Sequence, residues 1–148
     1  MLEELTGDLL LAPEPVIAHG CNCRGLFGAG VAGQVRARYP AAYRAYLAAY
    51  RQGTLRPGGY GLVPVGAGRF VANLYTQDRP GQHAELLAIE RAIVKLSFDL
   101  RALGIHTIAI PRLGCGIGGL SWEKEVKPVL SEIAAQRGDL ALRVYTRG

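Results

Sequence analysis

Short apolar runs alternate with longer stretches of helical periodicity along this chain, and that alternation restricts the fold more than any other feature of it. Residues 2–5 and 15–20 read as short strands, the second being the apolar run "PVIAHG". From 29 to about 39 the spacing is helical. Pro40 interrupts it and suits the first position of a second helix reaching about Gln52. "GYGLVPV" and "RFVANLYT" read as a hairpin joined at "GAG". "HAELLAIERAIVKLSFDLRALG" is the longest helical segment, closed by Gly104. "HTIAIP" is a buried strand and "RLGCGIGG" a glycine loop. "SWEKEVKPVLSEIAAQRG" is a helix capped by Ser121 and restarted or kinked at Pro128, and "LALRVYT" is the last strand. The order β-β-α-α-β-β-α-β-α-β predicts a three-layer α/β/α sandwich around a mixed, mostly parallel sheet. In such sheets ligands bind beyond the carboxyl ends of the strands, where both glycine loops belong.

The 148 residues suffice for one domain, 1–148, with a proper core; no internal repeat, low-complexity tract or linker divides them. The acidic start "MLEELTGDLLLAPEP" has no basic n-region, so no secretory signal is expected. No apolar run approaches the roughly 18 residues of a membrane span, and no membrane partner is expected. Three cysteines, Cys21, Cys23 and Cys115, fit a reduced, cytoplasmic setting. The net charge is +5, and it is unevenly placed. No Asp or Glu lies between Glu14 and Asp78, an interval holding Arg24, Arg36, Arg38, Arg44, Arg51, Arg56 and Arg69. That asymmetry fits a polyanionic partner, either nucleic acid or a nucleotide diphosphate; it fits an Arg-rich solvated surface equally well. Tyr39, Tyr43, Tyr46 and Tyr50 recur at helical spacing, so most of them read as one packed stripe rather than as base-stacking platforms.

"FGAGVAG", 27–33, spells G-x-G-x-x-G, which can open a dinucleotide site. Two context tests fail. The strand is expected to end near His19, with eight residues between it and Gly28, and no acid stands about 20 residues on, in "YRQGTLRPG". No Gly-Lys-Ser/Thr follows either glycine loop, so neither is a Walker loop. The physical content of the motif survives. Small residues at a helix start let backbone N–H groups approach an anion, and the helix N-terminus favours negative charge. "GCGIGG", 114–119, is a second loop of this kind. Two such loops facing each other make a diphosphate clamp; the alternative is two tight turns without a ligand. His19, Cys21 and Cys23 alternate and would share one strand face, but a structural zinc needs four ligands and no second cluster has the spacing. No metal and no cofactor are expected, and the two cysteines read as small buried hydrophobes.

With "TGDLL", "IAHGCNCRGLFGAGVAGQV" and "IPRLGCGIGGLSW" in that order, nearly the whole chain resembles the macrodomains, which bind ADP-ribose. The similar branch contains the ADP-ribose 1''-phosphate phosphatases, the terminal ADP-ribose protein glycohydrolase and the DNA ADP-ribosyl glycohydrolase antitoxins. The resemblance implies that Asp8 accepts the adenine amino group with Leu9 backbone beside it; a turn-capping Asp8 is the alternative. It implies that Gly28, Ala29, Gly30 and Val31, with Gly114, Cys115, Gly116, Ile117 and Gly118, hold the phosphates and ribose mainly through backbone N–H groups, and that Thr76 joins them. It places His19 as a catalytic acid or base, against a partly buried, hydrogen-bonded ring, and Asn22 beside the distal ribose. Two positions depart from the glycohydrolase branch: Gln77 stands where a Lys attacks the ribose, and Gly118 where an Asp stands. The function so implied is binding of ADP-ribose and hydrolysis of one of its derivatives by water, without a lysine nucleophile. The derivative is ADP-ribosylated protein or nucleic acid, or ADP-ribose 1''-phosphate. A non-catalytic ADP-ribose reader, and a nucleic-acid module using the basic half, are the alternatives.

Overall fold

The computed structural model describes residues 1–147. Six strands form one sheet: β1 (Leu2–Thr6), β2 (Val16–Cys21), β3 (Tyr60–Gly66), β4 (Arg69–Tyr75), β5 (Thr107–Ile110) and β6 (Ala141–Thr146). Their order is β1-β6-β5-β2-β4-β3, and every pair is parallel except the β3–β4 hairpin. The helices are α1 (Gly30–Arg38), α2 (Pro40–Arg51), α3 (Leu86–Ala102) and α4 (Lys127–Gln136).

The expected alternation is therefore present, with the mixed, mostly parallel sheet between two helical layers. Side chains alternate across each strand, and the layers divide accordingly. Val16 and Ala18 of β2 join Ala72, Leu74, Ile108 and Val144 beneath α3 and α4. Ile17 and Ala109 face the other way, as do Cys21, Val71 and Tyr75, which pack with Val35, Ala42 and Tyr46 of α1 and α2.

Helix ends follow local chemistry. Pro40 opens α2, where its missing N–H removes nothing. Gly104, at φ +72°, closes α3, and Ile105 N–H returns to Leu100 O at 3.0 Å. Ser121 Oγ accepts from Lys124 N–H at 3.2 Å, and Glu125 Oε1 accepts from Ser121 N–H at 2.9 Å. A π-helical turn, Trp122–Val126, then precedes α4, whose first turn contains Pro128.

Two boundaries differ from the sequence reading. β2 continues to Cys21, because its pairing with β4 runs on to Cys21↔Tyr75, so only residues 22–27 separate the strand from Gly28. The long helix begins at Leu86, since Glu85 is still extended and Glu85 N–H donates to Thr76 O at 2.9 Å. The parallel strands all end at one edge of the sheet, and the loops after β1, β2, β4 and β5 gather there.

Candidate ligand cleft

Three adjoining cavities run along that edge. The first, about 160 Å³, is lined by Asp8, Leu9, Val31, Gln34, Tyr145 and Arg147, among others. Val31 and Pro111 join it to a second of about 230 Å³, set between the two glycine loops. Ala29, Ala32, Gln77 and Ile117 join that to a third, of about 540 Å³, bounded by Asn22, Leu26, Phe27, Arg36, Tyr43 and Pro80.

The middle cavity is built for an anion. Gly30 takes φ +58°, a left-handed conformation that favours glycine, and a Cβ there would lie 3.3 Å from Ile117 Cδ1. The first glycine loop and the tip of the second thus touch across the cleft. At Gly33 a Cβ would meet Gly28 O at 2.8 Å, so this glycine lets the loop's backbone lie on α1. Gly28 and Gly116 face open space. No side chain caps α1, and the first turn of a helix leaves its N–H groups without intrahelical partners. Gly116, Ile117 and Gly118 likewise have no backbone partner for their N–H groups among the described residues. Residues of both loops line this one cavity, and helix starts of this kind suit phosphate oxygens.

The remaining expected residues divide into those at the cleft and those held elsewhere. Asp8 lines the first cavity and also caps a turn, its Oδ1 accepting from Leu10 N–H at 3.0 Å. Its Oδ2 lies 3.2 Å from Arg147 Nη2. Leu9 stands beside it, 7% exposed. Thr76 is buried but lines the middle cavity, its Oγ1 packed over Gly20 where a Cβ would come to 2.8 Å. Asn22 lines the large cavity, yet its amide folds its own loop. Oδ1 accepts from Arg24 N–H and from Tyr46 Oη–H, each at 2.9 Å, and Nδ2 donates to Leu26 O at 2.7 Å. One Nδ2 hydrogen is left for a ligand. Cys115 lines none of the three cavities. Its N–H donates to Arg112 O and its thiol to Leu113 O at 3.3 Å, and burial raises its pKa.

His19 lies away from the cleft, as the buried, hydrogen-bonded ring that the sequence left as the alternative to a catalytic one. The ring is 0% exposed, on the β2 face covered by α2, and lines none of the cavities. Its Nε2–H donates to Asn73 Oδ1 at 2.7 Å, and Asn73 Nδ2 donates to Ala42 O at 3.0 Å. Phe27 meets it edge-on at 5.2 Å. Burial pulls its pKa down to about 4, only partly offset by the bond to Asn73. A neutral ring locked in the core tethers β2 to β4 and α2; it reaches no ligand. Cys21 and Cys23 are buried, as small hydrophobes would be.

Several cleft residues carried no sequence signal. Arg112 lines the middle cavity. Its guanidinium lies 3.5 Å from Glu4 Oε1 and 5.8 Å from the Trp122 ring. Glu4 is already held by Lys127 Nζ at 2.7 Å and Trp122 Nε1–H at 2.9 Å, contacts that lower its pKa. Arg112 is thus a loosely held cation at the cleft. Arg36 lies at the mouth of the large cavity, its Cζ 3.8 Å from the centre of the Tyr43 ring. No Lys, His, Asp or Glu lines the middle or large cavity among the described residues. Gln77 forms part of the wall between them, its Nε2 donating to Arg79 O at 2.6 Å and Gly81 O at 3.0 Å. No cluster of His, Cys, Asp or Glu among the described residues has metal-site geometry, and no helix is long and apolar enough to cross a membrane.

Comparison with known proteins identifies relatives of this architecture. The family model described as Macro domain matches residues 18–129. A DNA ADP-ribosyl glycohydrolase of Mycobacterium tuberculosis is 32% identical over 143 residues, covering 95% of this chain and 40% of that protein. The chain thus spans about two fifths of the length of such relatives. An ADP-ribose 1''-phosphate phosphatase of Scheffersomyces stipitis is 27% identical over 177 residues, covering 98% of this chain and 99% of that one. Among solved structures, the macrodomain of Mycobacterium tuberculosis DarG superposes with a TM-score of 0.89 at 30% identity, covering 100% of this chain and 99% of that one.

Proposed function

Because the chain belongs to the macro domain family, we propose that its cleft binds ADP-ribose and that the bound form is the ADP-ribosyl part of a larger molecule, which the protein hydrolyses. The observation that carries this reading is the middle cavity, lined from both sides by glycine loops whose N–H groups have no backbone partner among the described residues. On this reading adenine lies against Asp8 and Leu9, and the diphosphate lies between residues 28–31 and 114–118 with Thr76 on the cavity wall. The distal ribose then opens into the large cavity beside Asn22. The linked group leaves through the wide mouth of that cavity. Relatives named for DNA ADP-ribosyl hydrolysis favour DNA as the carrier, and the relative named for ADP-ribose 1''-phosphate makes a bare phosphate the competing leaving group. We place the activity in one macrodomain unit, 1–148; the three free thiols fit a reducing compartment such as the cytoplasm.

The chemistry follows from what lines the cleft. Water adds to the anomeric carbon of the distal ribose, and the bond from that carbon to the carrier breaks. The carrier leaves with the electron pair and takes up a proton. Gln77 is an amide, so no amine adduct forms at that position. His19 is sealed in the core and takes no part in the proton transfer. No Lys, His, Asp or Glu among the described residues lines the middle or large cavity, so the proposed acceptor for the water's proton is the ligand's own diphosphate, which passes a proton to the leaving carrier. The free Nδ2–H of Asn22 orients a ribose hydroxyl or the water. The loops supply binding energy and hold the reacting atoms in place. A reader without turnover is the second reading, favoured by the lack of a cleft-lining base among the described residues.

One panel separates them. Free ADP-ribose, ADP-ribose 1''-phosphate, ADP-ribosylated single-stranded DNA and ADP-ribosylated peptides are offered to the protein, with binding by calorimetry and product release by chromatography. Release of ADP-ribose from DNA supports the proposal. Binding with no turnover on any substrate establishes the reader, and no binding of ADP-ribose refutes both.

A further inference from the structure

The basic first half of the chain is not used up by the cleft. Of its seven arginines, Arg36, Arg38, Arg44, Arg51 and Arg56 are exposed and have no carboxylate partner among the described residues; Arg36, Arg44 and Arg51 border one helix edge. Arg24, by contrast, is neutralised by Asp78 at 2.7 Å. Arg36 stands at the mouth of the large cavity against the face of Tyr43. From half-buried Tyr43 this edge of α2 continues through half-buried Leu47 to exposed Tyr50, positions i, i+4 and i+7 of one helix face, over about 10 Å. Arg44 and Arg51, themselves seven apart, flank that edge on the outer side. The sequence suggested that the tyrosines form a packed stripe, and only Tyr46 is fully buried; Tyr50 keeps 43% of its surface.

The edge is physically continuous with the cavity. The Tyr46 hydroxyl shares its one proton between Asn22 O and Asn22 Oδ1, each at 2.9 Å, and its oxygen accepts from Gly25 N–H at 3.0 Å. Tyr50 packs over Gly25, where a Cβ would lie 2.8 Å from its ring. Leu26, 59% exposed, completes the rim. A cavity of about 540 Å³ therefore opens onto a strip of aromatic and apolar side chains bordered by unpaired guanidinium groups.

We propose that this strip, Arg36–Tyr43–Tyr50 with Arg44 and Arg51, is the track for the single-stranded nucleic acid that carries the ADP-ribosyl group. The chemistry selects that partner. Aromatic faces accept unstacked bases of any sequence, and unpaired arginines along one edge meet backbone phosphates. A modified base inside the cavity must already be out of a duplex stack, which favours a single strand. A peptide carrier offers neither a regular anionic backbone nor stacking bases. The inference rests on the ADP-ribose reading of the cleft and adds to it the path of the carrier outside.

The test compares wild-type protein with the double variant Arg44→Gln/Arg51→Gln, two residues outside the cleft. The probes are free ADP-ribose, an ADP-ribosylated single-stranded oligonucleotide and an ADP-ribosylated uncharged peptide, each titrated at several salt concentrations. Wild type is expected to bind the modified oligonucleotide more tightly than free ADP-ribose, with a steeper salt dependence. In the variant the slope of log K against log salt becomes shallower by about 1 to 1.5, and oligonucleotide affinity falls roughly tenfold near 0.1 M salt. Its affinity for free ADP-ribose stays within about twofold, which also shows that it is folded. An unchanged slope and affinity in the variant would overturn the track. So would an equal loss with the peptide probe, which would make the surface a protein-binding one. Wild type that binds ADP-ribose but gains nothing from the attached strand sinks the track alone. Wild type that fails to bind ADP-ribose sinks the cleft reading and the track together.

Discussion

Replacing His19 by Gln should remove a defined part of the protein's acid sensitivity. The imidazole is fully buried, and burial lowers its pKa from an ordinary 6.5 to about 4. In the unfolded chain the same ring titrates near 6.5. Between about pH 6.5 and 4 the unfolded state therefore takes up a proton that the folded state refuses. Stability from this group is complete above 6.5, falls through that window and levels off below 4. Two and a half pKa units at about 1.4 kcal/mol each give a loss of about 3 kcal/mol. That is a large fraction of the 5–15 kcal/mol typical of a small domain. Glu4 and Asp78, whose pKa values are lowered chiefly by Lys127 and Arg24, also lose stability in acid, but equally in both proteins. Urea unfolding at pH 7 and pH 4 gives the difference directly. Wild type should lose about 3 kcal/mol more than H19Q over that interval, whatever the variant's stability at pH 7. Equal losses would refute the burial argument. A turnover profile in which His19→Gln abolishes an ionisation while leaving stability unchanged would return His19 to the catalytic centre.

The other predictions concern the cleft. Gly118→Ala brings a Cβ to 2.6 Å from both Ala84 Cβ and Gly114 O; it should destabilise by about 1–3 kcal/mol and weaken ADP-ribose binding, read by thermal unfolding and calorimetry. Gly28→Ala and Gly33→Ala should differ, since a Cβ meets nothing within 4 Å at Gly28 but meets Gly28 O at 2.8 Å from Gly33. Only the second should lower the melting temperature. Arg112→Gln should leave stability within about 0.5 kcal/mol, since Glu4 keeps Lys127 and Trp122, yet weaken ADP-ribose binding by roughly 1.5–3 kcal/mol; unchanged affinity would remove Arg112 from the diphosphate site. Asp8→Ala should cost about 1 kcal/mol through loss of the bond from Leu10 N–H and reduce affinity for ADP-ribose more than for ribose 5-phosphate.

Periodicity made the layers legible, because each strand and helix carries its own apolar pattern. The glycine loops were legible because few other residues tolerate their close approaches. What stayed hidden depended on tertiary neighbours. Alternation puts His19, Cys21 and Cys23 on one face, but nothing local says that Phe27 and Tyr46 roof that face and seal the ring. Asn22 reads as a free amide until the loop folds back on it. Arg112 and Arg147 belong to no motif, and only the fold brings them to the cavities. The extra turn of pairing that takes β2 to Cys21 depends on β4, which lies some fifty residues away in sequence.

The two departures from the glycohydrolase branch are tied to packing, and together they fit middle and large cavities that no Lys, His, Asp or Glu among the described residues lines. At position 118 a side chain has nowhere to go: Ala84 and the Gly114 carbonyl occupy its space, and Ala84 N–H donates to Gly118 O at 3.2 Å. The loop thus closes tightly on the segment just before α3 and, as folded, leaves no room for a side chain at 118. Gln77, on the opposite wall, uses its Nε2 to hold the carbonyls of Arg79 and Gly81 and so shapes the rim of the large cavity. Both changes exchange a reactive group for a fixed backbone. On the proposed reading, such a cleft binds the diphosphate and places the anomeric carbon in the large cavity, and the ligand's diphosphate serves as the proton acceptor there. Substrates whose diphosphate is removed or methylated should then lose turnover beyond their loss of affinity, whereas a protein-borne base would leave the two losses equal.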